Sequence, residues 1–193
     1  ITIDGMQIFG ACTDKMDPTT SYVDVSNLSE LKITSGQQGA ENGSTIGGGI
    51  DMKLQKSGFD KETFNVGVDL GYETNSNLRV ASSEINFSNS KIFTNLDGIY
   101  RESDNYFAGG DKEVLYSQFE KYNLSGVVGV KTGNNGALIG TVIYDKATNV
   151  GYPALPMDVS LAEAIIASVN YVQDSISKTI QKWDTKLYYN TIT

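Results

Sequence analysis

Apolar and polar residues alternate at period two over several stretches of the chain, which is the pattern of β-strands that bury one face. The clearest stretch covers residues 64–72, where five apolar side chains occupy alternate positions with small or polar residues between them. Residues 46–55 follow the same alternation, and the polar connection 56–62 contains a glycine. We therefore predict a hairpin between these two strands. Shorter strands are predicted between residues 23 and 33 and over residues 90–101.

The alternation changes parity between residues 78 and 87. Leu78 and Val80 would point to one face of a strand, whereas Ile85 and Phe87 would point to the other. A β-bulge or a break in the strand near residues 82–83 would bring all four side chains to the same buried face, so one of the two is predicted there.

A second hairpin is predicted over residues 126–144. Val127, Val128 and Val130 precede a Gly-Asn-Asn-Gly turn at 133–136, and a further apolar run follows it. An Asn-Gly pair tolerates the positive φ angles that tight hairpin turns require. Because the apolar runs are nearly continuous, both faces of this hairpin are expected to be buried.

Two helices are also predicted. Residues 111–122 begin with an acidic capping residue and carry apolar side chains at three- and four-residue spacing. Residues 160–185 begin with the capping box Ser160-Leu-Ala-Glu163, and apolar side chains then recur at intervals of 4, 4, 3, 4, 4, 3 and 4. These seven steps cover 26 residues, about 3.7 per turn, which predicts a nearly straight helix lying along a sheet.

The predicted architecture is a single α+β domain over residues 1–193. It is mostly antiparallel β, a sandwich or partly closed barrel, with one long C-terminal helix packed on a sheet and a short middle helix. No uninterrupted apolar stretch approaches 18 residues, so no transmembrane helix is predicted.

The composition excludes several kinds of chemistry. The chain has no histidine and one cysteine, Cys12, which excludes a histidine-activated nucleophile, a Cys/His zinc site and an internal disulfide. We interpret Cys12 as a buried apolar residue. The net charge of −8 argues against nucleic-acid recognition. Glu102, Asp104 and Asp111 offer weak calcium ligands but lack EF-hand spacing. No catalytic residue, cofactor or metal site is therefore assigned.

With chemistry excluded, we expect the function to reside in surface contacts. The alternating segments 1–9 and 187–193 resemble arms that add a strand to a neighbouring subunit, although each could also pair with the chain's own sheet. The candidate subunit contacts are Ile1, Ile3, Ile8, Tyr188, Tyr189 and Ile192. The predicted function is a structural, self-assembling subunit of a virion or extracellular assembly. Such a subunit would be a homo-oligomer that contacts other structural proteins, and phage tail tubes offer a fold-level analogy only.

Two other functions stay open at the level of sequence. Residues 44–89 could supply the amphipathic hairpin of a secreted pore-forming protein, because alternating apolar positions flank a polar turn. A glycan- or protein-binding module is the second alternative, with Tyr100, Tyr106 and Phe107 as candidate loop contacts. These functions place the protein in a virion, outside the cell or at the cell surface, and none of them is enzymatic.

Overall fold

The computed structural model describes residues 1–10, 18–36, 46–60, 62–155 and 158–193. Backbone contacts divide the chain into two compact units, Ile1–Lys56 and Ser57–Thr193. Within the described ranges the chain is almost entirely β-strand, and its helical residues are two short 3₁₀ segments, Thr19–Tyr22 and Val25–Asn27. Among the described residues, the helical segments include no candidate for a membrane-spanning helix.

The first unit contains a four-stranded sheet. Its strands are β1 (Thr2–Ile3), β2 (Met6–Gln7), β3 (Leu28–Ser35) and β4 (Gly48–Leu54), in the order β2-β1-β4-β3. Asp4 and Gly5 both have positive φ, as the tight turn between β1 and β2 requires. The core side chains of this unit are Ile3, Met6, Ile8, Tyr22, Val23, Met52 and Leu54.

The second unit is built on a seven-stranded antiparallel sheet. Its strands are β5 (Thr63–Glu73), β6 (Leu78–Ser88), β7 (Ile92–Ser103), β10 (Phe119–Lys131), β11 (Gly136–Gly151), β12 (Asp158–Asp174) and β13 (Lys182–Ile192). The order β13-β12-β11-β10-β7-β6-β5 follows the chain, so each long strand pairs with the next long strand. A small hairpin, β8 (Phe107–Ala108) and β9 (Lys112–Glu113), lies in the connection from β7 to β10.

The predicted C-terminal helix over 160–185 is wrong, because those residues form most of β12 and the start of β13. A spacing of four residues is compatible with both periods, since positions i and i+4 share one face of a helix and also one face of a strand. Leu161, Ile165 and Val169 therefore lie on one face of β12. Glu163 accepts a hydrogen bond from the Tyr144 hydroxyl at 2.6 Å and caps no helix.

The turn between β12 and β13 explains why the break was not visible in the sequence. Residues 175–181 contain no glycine or proline, the residues that usually mark a turn. Ser175 adopts a positive φ of 53°, and the Ser177 hydroxyl accepts a hydrogen bond from the backbone N–H of Ile180 at 2.9 Å. A serine side chain thus closes a turn that glycine would ordinarily form.

The predicted middle helix over 111–122 is also wrong. This stretch contains β9, a turn and the beginning of β10. Tyr116 has a φ of +63°, which lies outside the right-handed helical region. Asn105 and Ser117 hold the turn, with the Ser117 N–H donating to Asn105 Oδ1 at 2.9 Å.

The sequence predicts the positions of several strands correctly, but it predicts the pairing of one strand wrongly. Strands are confirmed at 64–72, at 90–101 and in the 126–144 hairpin, which is the β10–β11 pair. The predicted pairing of 46–55 with 64–72 is wrong, because β4 pairs with β1 and β3, whereas β5 pairs with β6. The strand β6 is continuous and no register shift interrupts it, so neither the bulge nor the break predicted near 82–83 is present in that strand.

Candidate functional site

The seven-stranded sheet has one predominantly apolar face that is exposed. Following one register row across the sheet, Val66 lies opposite Ile85, and the row continues through Leu96, Gly126, Val142, Ala167 and Tyr189. We call this side the apolar face. Its exposed large side chains are Phe64, Val66, Val68, Leu70, Tyr72, Ile85, Phe87, Ile92, Leu96, Tyr122, Leu124, Val128, Val130, Leu138, Val142, Leu161, Ile165, Val169, Tyr171, Trp183, Leu187 and Tyr189.

The degree of exposure on this face is unusual for a water-soluble surface. Leu70 is 81% exposed and Leu187 is 75% exposed, and they belong to the two edge strands of the sheet. Exposed apolar side chains also occupy every strand between them. A contiguous apolar surface of this extent marks a site of contact with a membrane or another protein.

The opposite side, which we call the polar face, carries buried hydrogen-bonding side chains. Its buried polar residues are Asn86, Ser88, Asn95, Ser103, Asn123, Ser125, Thr141, Asp145 and Ser168. Asn123 donates to Asp145 Oδ1 at 2.7 Å, and the Lys121 ammonium lies 3.1 Å from the same oxygen. Buried polar groups are tolerated when they are paired in this way. The buried face thus combines these polar side chains with the buried apolar residues Phe93, Ile99, Val127, Ile143, Ala164 and Ile166, whereas the exposed face is predominantly apolar.

One border of the apolar face is a series of tyrosines, Tyr72, Tyr100, Tyr122, Tyr144 and Tyr189, which we call the tyrosine border. From β5 to β13 this border shifts stepwise along the strands, so it crosses the register rows obliquely. An oblique border is expected where strands are tilted relative to a plane that cuts the sheet.

Glutamates next to the tyrosine border accept hydrogen bonds from its hydroxyls. The Tyr122 hydroxyl donates to Glu120 Oε1 at 2.6 Å, and the Tyr100 hydroxyl donates to the same oxygen at 3.3 Å. The rings of Tyr100 and Tyr122 pack with centroids 4.6 Å apart. Each tyrosine thus joins an apolar ring to a polar hydroxyl at the edge of the apolar face.

The other border of the apolar face contains Phe64, Phe87, Tyr171 and Trp183. On β5, Phe64 and Tyr72 are eight residues apart, which is roughly 26 Å along a strand. A tilt of about 40° would reduce that height to roughly 20 Å, close to the height of the apolar band on membrane-spanning sheets.

The candidate subunit contacts at the two ends of the chain lie in strands or their flanks. Ile3 is buried in β1 and Ile8 is also buried. Tyr188, Tyr189 and Ile192 belong to β13, which pairs with β12 of the same chain. The two terminal segments thus take the alternative pairing within the chain's own sheets, and the contact role of these residues, with Ile1, stays a prediction.

Two of the three candidate loop contacts lie in strands. Tyr100 lies in β7 and belongs to the tyrosine border. Tyr106 precedes β8 and Phe107 is its first residue; both are exposed, and the backbone N–H of Phe107 donates to Asn75 Oδ1 at 2.7 Å. Their role as a binding surface stays a prediction. Cys12 lies outside the described residues.

Sequence reasoning missed the tyrosine border as a unit. Its signal was available, because a tyrosine ends an alternating apolar stretch at Tyr72 and again at Tyr144, while Tyr122 begins one. Recognising the border required the strand register, which aligns these residues across different strands. In the described part of the chain no three His, Cys, Asp or Glu side chains cluster closely enough to hold a metal ion.

Comparison with known proteins shows the fold. No family model and no curated protein matches the chain. Among solved structures, the copper transporter OprC matches with a TM-score of 0.86 and 22% identity, over 98% of this chain and 30% of that one. The FrpB iron transporter from Neisseria meningitidis (F3-3 variant) matches with a TM-score of 0.67 and 18% identity, over 86% of this chain and 29% of that one. The chain therefore spans less than a third of either transporter.

These matches correct the function expected from sequence. The prediction of a self-assembling structural subunit of a virion or extracellular assembly is wrong, because these two solved structures, which the chain matches, are metal transporters. The pore-forming and glycan-binding alternatives gain no support from these two structures. The two similar structures are transporters rather than enzymes, and they give no support to homo-oligomerisation or to structural partner proteins.

Proposed function

We propose that this chain is a segment of an outer-membrane transport protein and that its seven-stranded sheet forms part of the wall of a membrane-spanning barrel. The observation that carries the proposal is the exposed apolar face with aromatic residues along both borders. Outer-membrane barrels have an apolar band toward the lipid, aromatic girdles at its two edges and a polar interior. The buried polar face supplies the third of these features.

The energetics of the two faces support this placement. Covering a leucine-sized side chain with hydrocarbon instead of water stabilises a protein by roughly 1.5–3 kcal/mol. The apolar face exposes side chains of this kind on every long strand. Backbone groups within a continuous sheet are satisfied by their neighbours, which is the condition for a strand to cross lipid. The free edges of β5 and β13 would pair with further strands of the complete wall.

The lengths of the connections support an orientation in the membrane. At the end with the tyrosine border, the connections span residues 74–77, 104–118 and 152–157. At the opposite end they span residues 89–91, 132–135 and 175–181. The longest connection therefore lies beyond the tyrosine border. Because outer-membrane barrels have longer loops outside the cell than in the periplasm, we place the tyrosine border at the outer surface.

Quenching of Trp183 fluorescence tests the membrane placement. Trp183 is the one tryptophan of the chain and lies at a border of the apolar face. In liposomes, brominated lipid chains are expected to quench its fluorescence strongly, whereas acrylamide in the water should quench it little. Efficient quenching by acrylamide without quenching by brominated lipid would contradict the proposal.

Metal uptake is the transport activity to test first, because the two similar structures are copper and iron transporters. Cells that make the protein should accumulate more of at least one of these metals than cells that lack it. Supplying the intact gene to the cells that lack the protein should restore their metal uptake. Equal uptake of copper and of iron in the two strains would contradict the proposed transport of these metals.

A further inference from the structure

The segment directly after the first unit is held on the polar face of the second unit's sheet. Residues 57–59 lie outside the strands, between β4 and β5, and Ser57 is the first residue of the second unit. The backbone N–H of Ser57 donates to Asn95 Oδ1 at 2.9 Å. In return, Asn95 Nδ2 donates to Ser57 Oγ at 2.8 Å. A single side chain of β7 thus binds both the backbone and the hydroxyl of Ser57.

Breaking the Asn95–Ser57 hydrogen bonds is expected to be energetically unfavourable. Its side chain is 0% exposed, and Nδ2 also donates to Asn86 Oδ1 on the neighbouring strand β6, directly opposite in the register. Both amide hydrogens and the amide oxygen are therefore engaged. Removal of Ser57 would leave a buried oxygen and a buried N–H without partners, which is unfavourable in an interior.

An aromatic contact holds the same segment two residues further along. The rings of Phe59 and Phe93 meet edge to face, with centroids 4.9 Å apart. Phe93 is buried and lies two residues from Asn95, so both contacts are made by the polar face of β7. Phe93 packs over Gly129, where a Cβ atom would overlap its ring. The Lys131 ammonium lies 5.4 Å from the centre of the Phe59 ring.

The residue before Ser57 is held by the first unit. The Lys56 ammonium pairs with Asp4 Oδ2 at 2.9 Å, and the Asp4 carboxylate is buried. Asp4 Oδ1 also accepts the backbone N–H of Leu54 at 3.2 Å. Lys56 is therefore held within the first unit.

We infer that residues 57–59 form an anchor that fixes the point at which the first unit's chain joins the sheet. The anchor consists of the Ser57–Asn95 hydrogen bonds and the Phe59–Phe93 contact. A displacement of the chain at residue 57 away from β7 must break these contacts first. The anchor holds the connection between β4 and β5 on the sheet. Its presence does not depend on which solute the protein carries.

Tryptic cleavage of the Lys56–Ser57 bond tests the anchor. Trypsin cleaves after lysine when the flanking residues can leave the folded structure, and this bond lies at the anchor itself. In the folded chain, in detergent or liposomes, Asn95→Ala removes two hydrogen bonds to Ser57. The rate of cleavage after Lys56, measured by mass spectrometry, is expected to rise about tenfold.

Matched controls separate the anchor from general loosening of the sheet. Ser125→Ala removes a hydroxyl that donates to Asp97 on the same face, and it should leave cleavage after Lys56 unchanged. Phe59→Ala, which alters no strand, should raise the rate about threefold or more. Phe64→Ala, on the apolar face, should leave the rate of cleavage after Lys56 unchanged.

Two results would overturn the inference. One is cleavage after Lys56 at the original rate in both Asn95→Ala and Phe59→Ala, which would mean that these contacts do not hold the segment. The other is an equal rise in Ser125→Ala and Phe64→Ala, which would mean that cleavage reports only overall stability.

Discussion

At the scale of single residues, Gly129 shows how closely the polar face is packed. A Cβ atom at this position would overlap the ring of Phe93. Phe93 itself is buried and contacts Phe59, so the ring cannot move away freely. By contrast, a Cβ atom at Gly140, on the apolar face of β11, would meet nothing closer than the Val128 carbonyl oxygen at 4.0 Å.

This difference gives a prediction for two matched substitutions. Gly129→Ala is expected to lower the free energy of unfolding by about 1–3 kcal/mol, because the added methyl group overpacks the site. Gly140→Ala should change it by less than about 0.5 kcal/mol or raise it. Denaturant titration in liposomes measures both. Equal effects of the two substitutions would show that the Phe93 ring does not fill the space over Gly129.

A second residue-scale prediction concerns the ion pair between Lys53 and Glu30, whose charged atoms lie 3.0 Å apart in the first unit. The hydrogen bond to Glu30 and the charge of that carboxylate raise the pKa of Lys53 above its ordinary value of 10.5. A raised lysine pKa means that the pair's small contribution to stability is fully present below pH 10.5. It is lost as the pH rises through the folded-state pKa.

The free energy of unfolding should show this loss of the ion pair's contribution at alkaline pH. Lys53→Met should lower stability slightly at neutral pH, and the difference from the original chain should shrink above pH 10.5. Glu30→Gln is the partner control and should show the same trend. A stability difference that stays constant through the alkaline range would show that the charge of Lys53 makes no contribution.

At the scale of elements, one strand offers a direct contrast between the two faces. Val68 lies on the apolar face of β5, midway between the border residues Phe64 and Tyr72. Its neighbour Asp69 lies on the opposite face. Val68→Arg would place a charge near the middle of the lipid, and it is expected to cost about 2–4 kcal/mol of stability. Asp69→Arg should cost less than about 1 kcal/mol, because in the proposed membrane wall its side chain faces away from the lipid.

Denaturant unfolding in liposomes measures the stability of the Val68→Arg and Asp69→Arg variants. The fraction of each variant that folds into liposomes without detergent gives an independent comparison. If both arginine variants were equally stable, the apolar face of β5 would be in contact with water. A larger loss for Asp69→Arg than for Val68→Arg would reverse the assignment of the two faces.

The strand–helix error at the C-terminal end follows from the same geometry. Alternation at period two is unambiguous in residues 64–72, so β5 was predictable. In β12, alanines at 162, 164 and 167 dilute the alternation and leave larger residues at four-residue intervals. Alanine favours helices, and four-residue spacing fits a helix as well as a strand. The local pattern therefore could not distinguish a helix from a strand. Pairing with β11 and β13 stabilises the strand.

At the scale of the whole molecule, composition conceals the character of the sheet. Hydrophobic residues make up 39% of the chain, which is ordinary for a water-soluble protein. The apolar residues are nevertheless concentrated on the exposed face, and Asn95 and Asn123 on the other face are both fully buried. An average over the sequence does not record which face each residue occupies. The exclusions drawn from composition concern catalytic and metal-binding residue types, and they do not bear on contact with lipid.

The exposure of the apolar face also explains why the candidate site was only partly predictable. The amphipathic strands were visible in the sequence, and their apolar side was assumed to be the buried one. The tyrosine border became visible only when register aligned Tyr100 with Tyr122 across neighbouring strands. Which face meets lipid is a property of the whole sheet, because it depends on the exposure of all seven strands together.

A pair of nitroxide labels on β5 tests whether the apolar face contacts lipid. Cys12, the chain's one cysteine, is replaced by serine, and a label is then attached at Val68→Cys or at Asp69→Cys in liposomes. Collision with oxygen, which concentrates in lipid, should dominate at position 68, and collision with a water-soluble nickel chelate should dominate at position 69. Preferential collision of the label at position 68 with the nickel chelate would show that the apolar face meets water and not lipid.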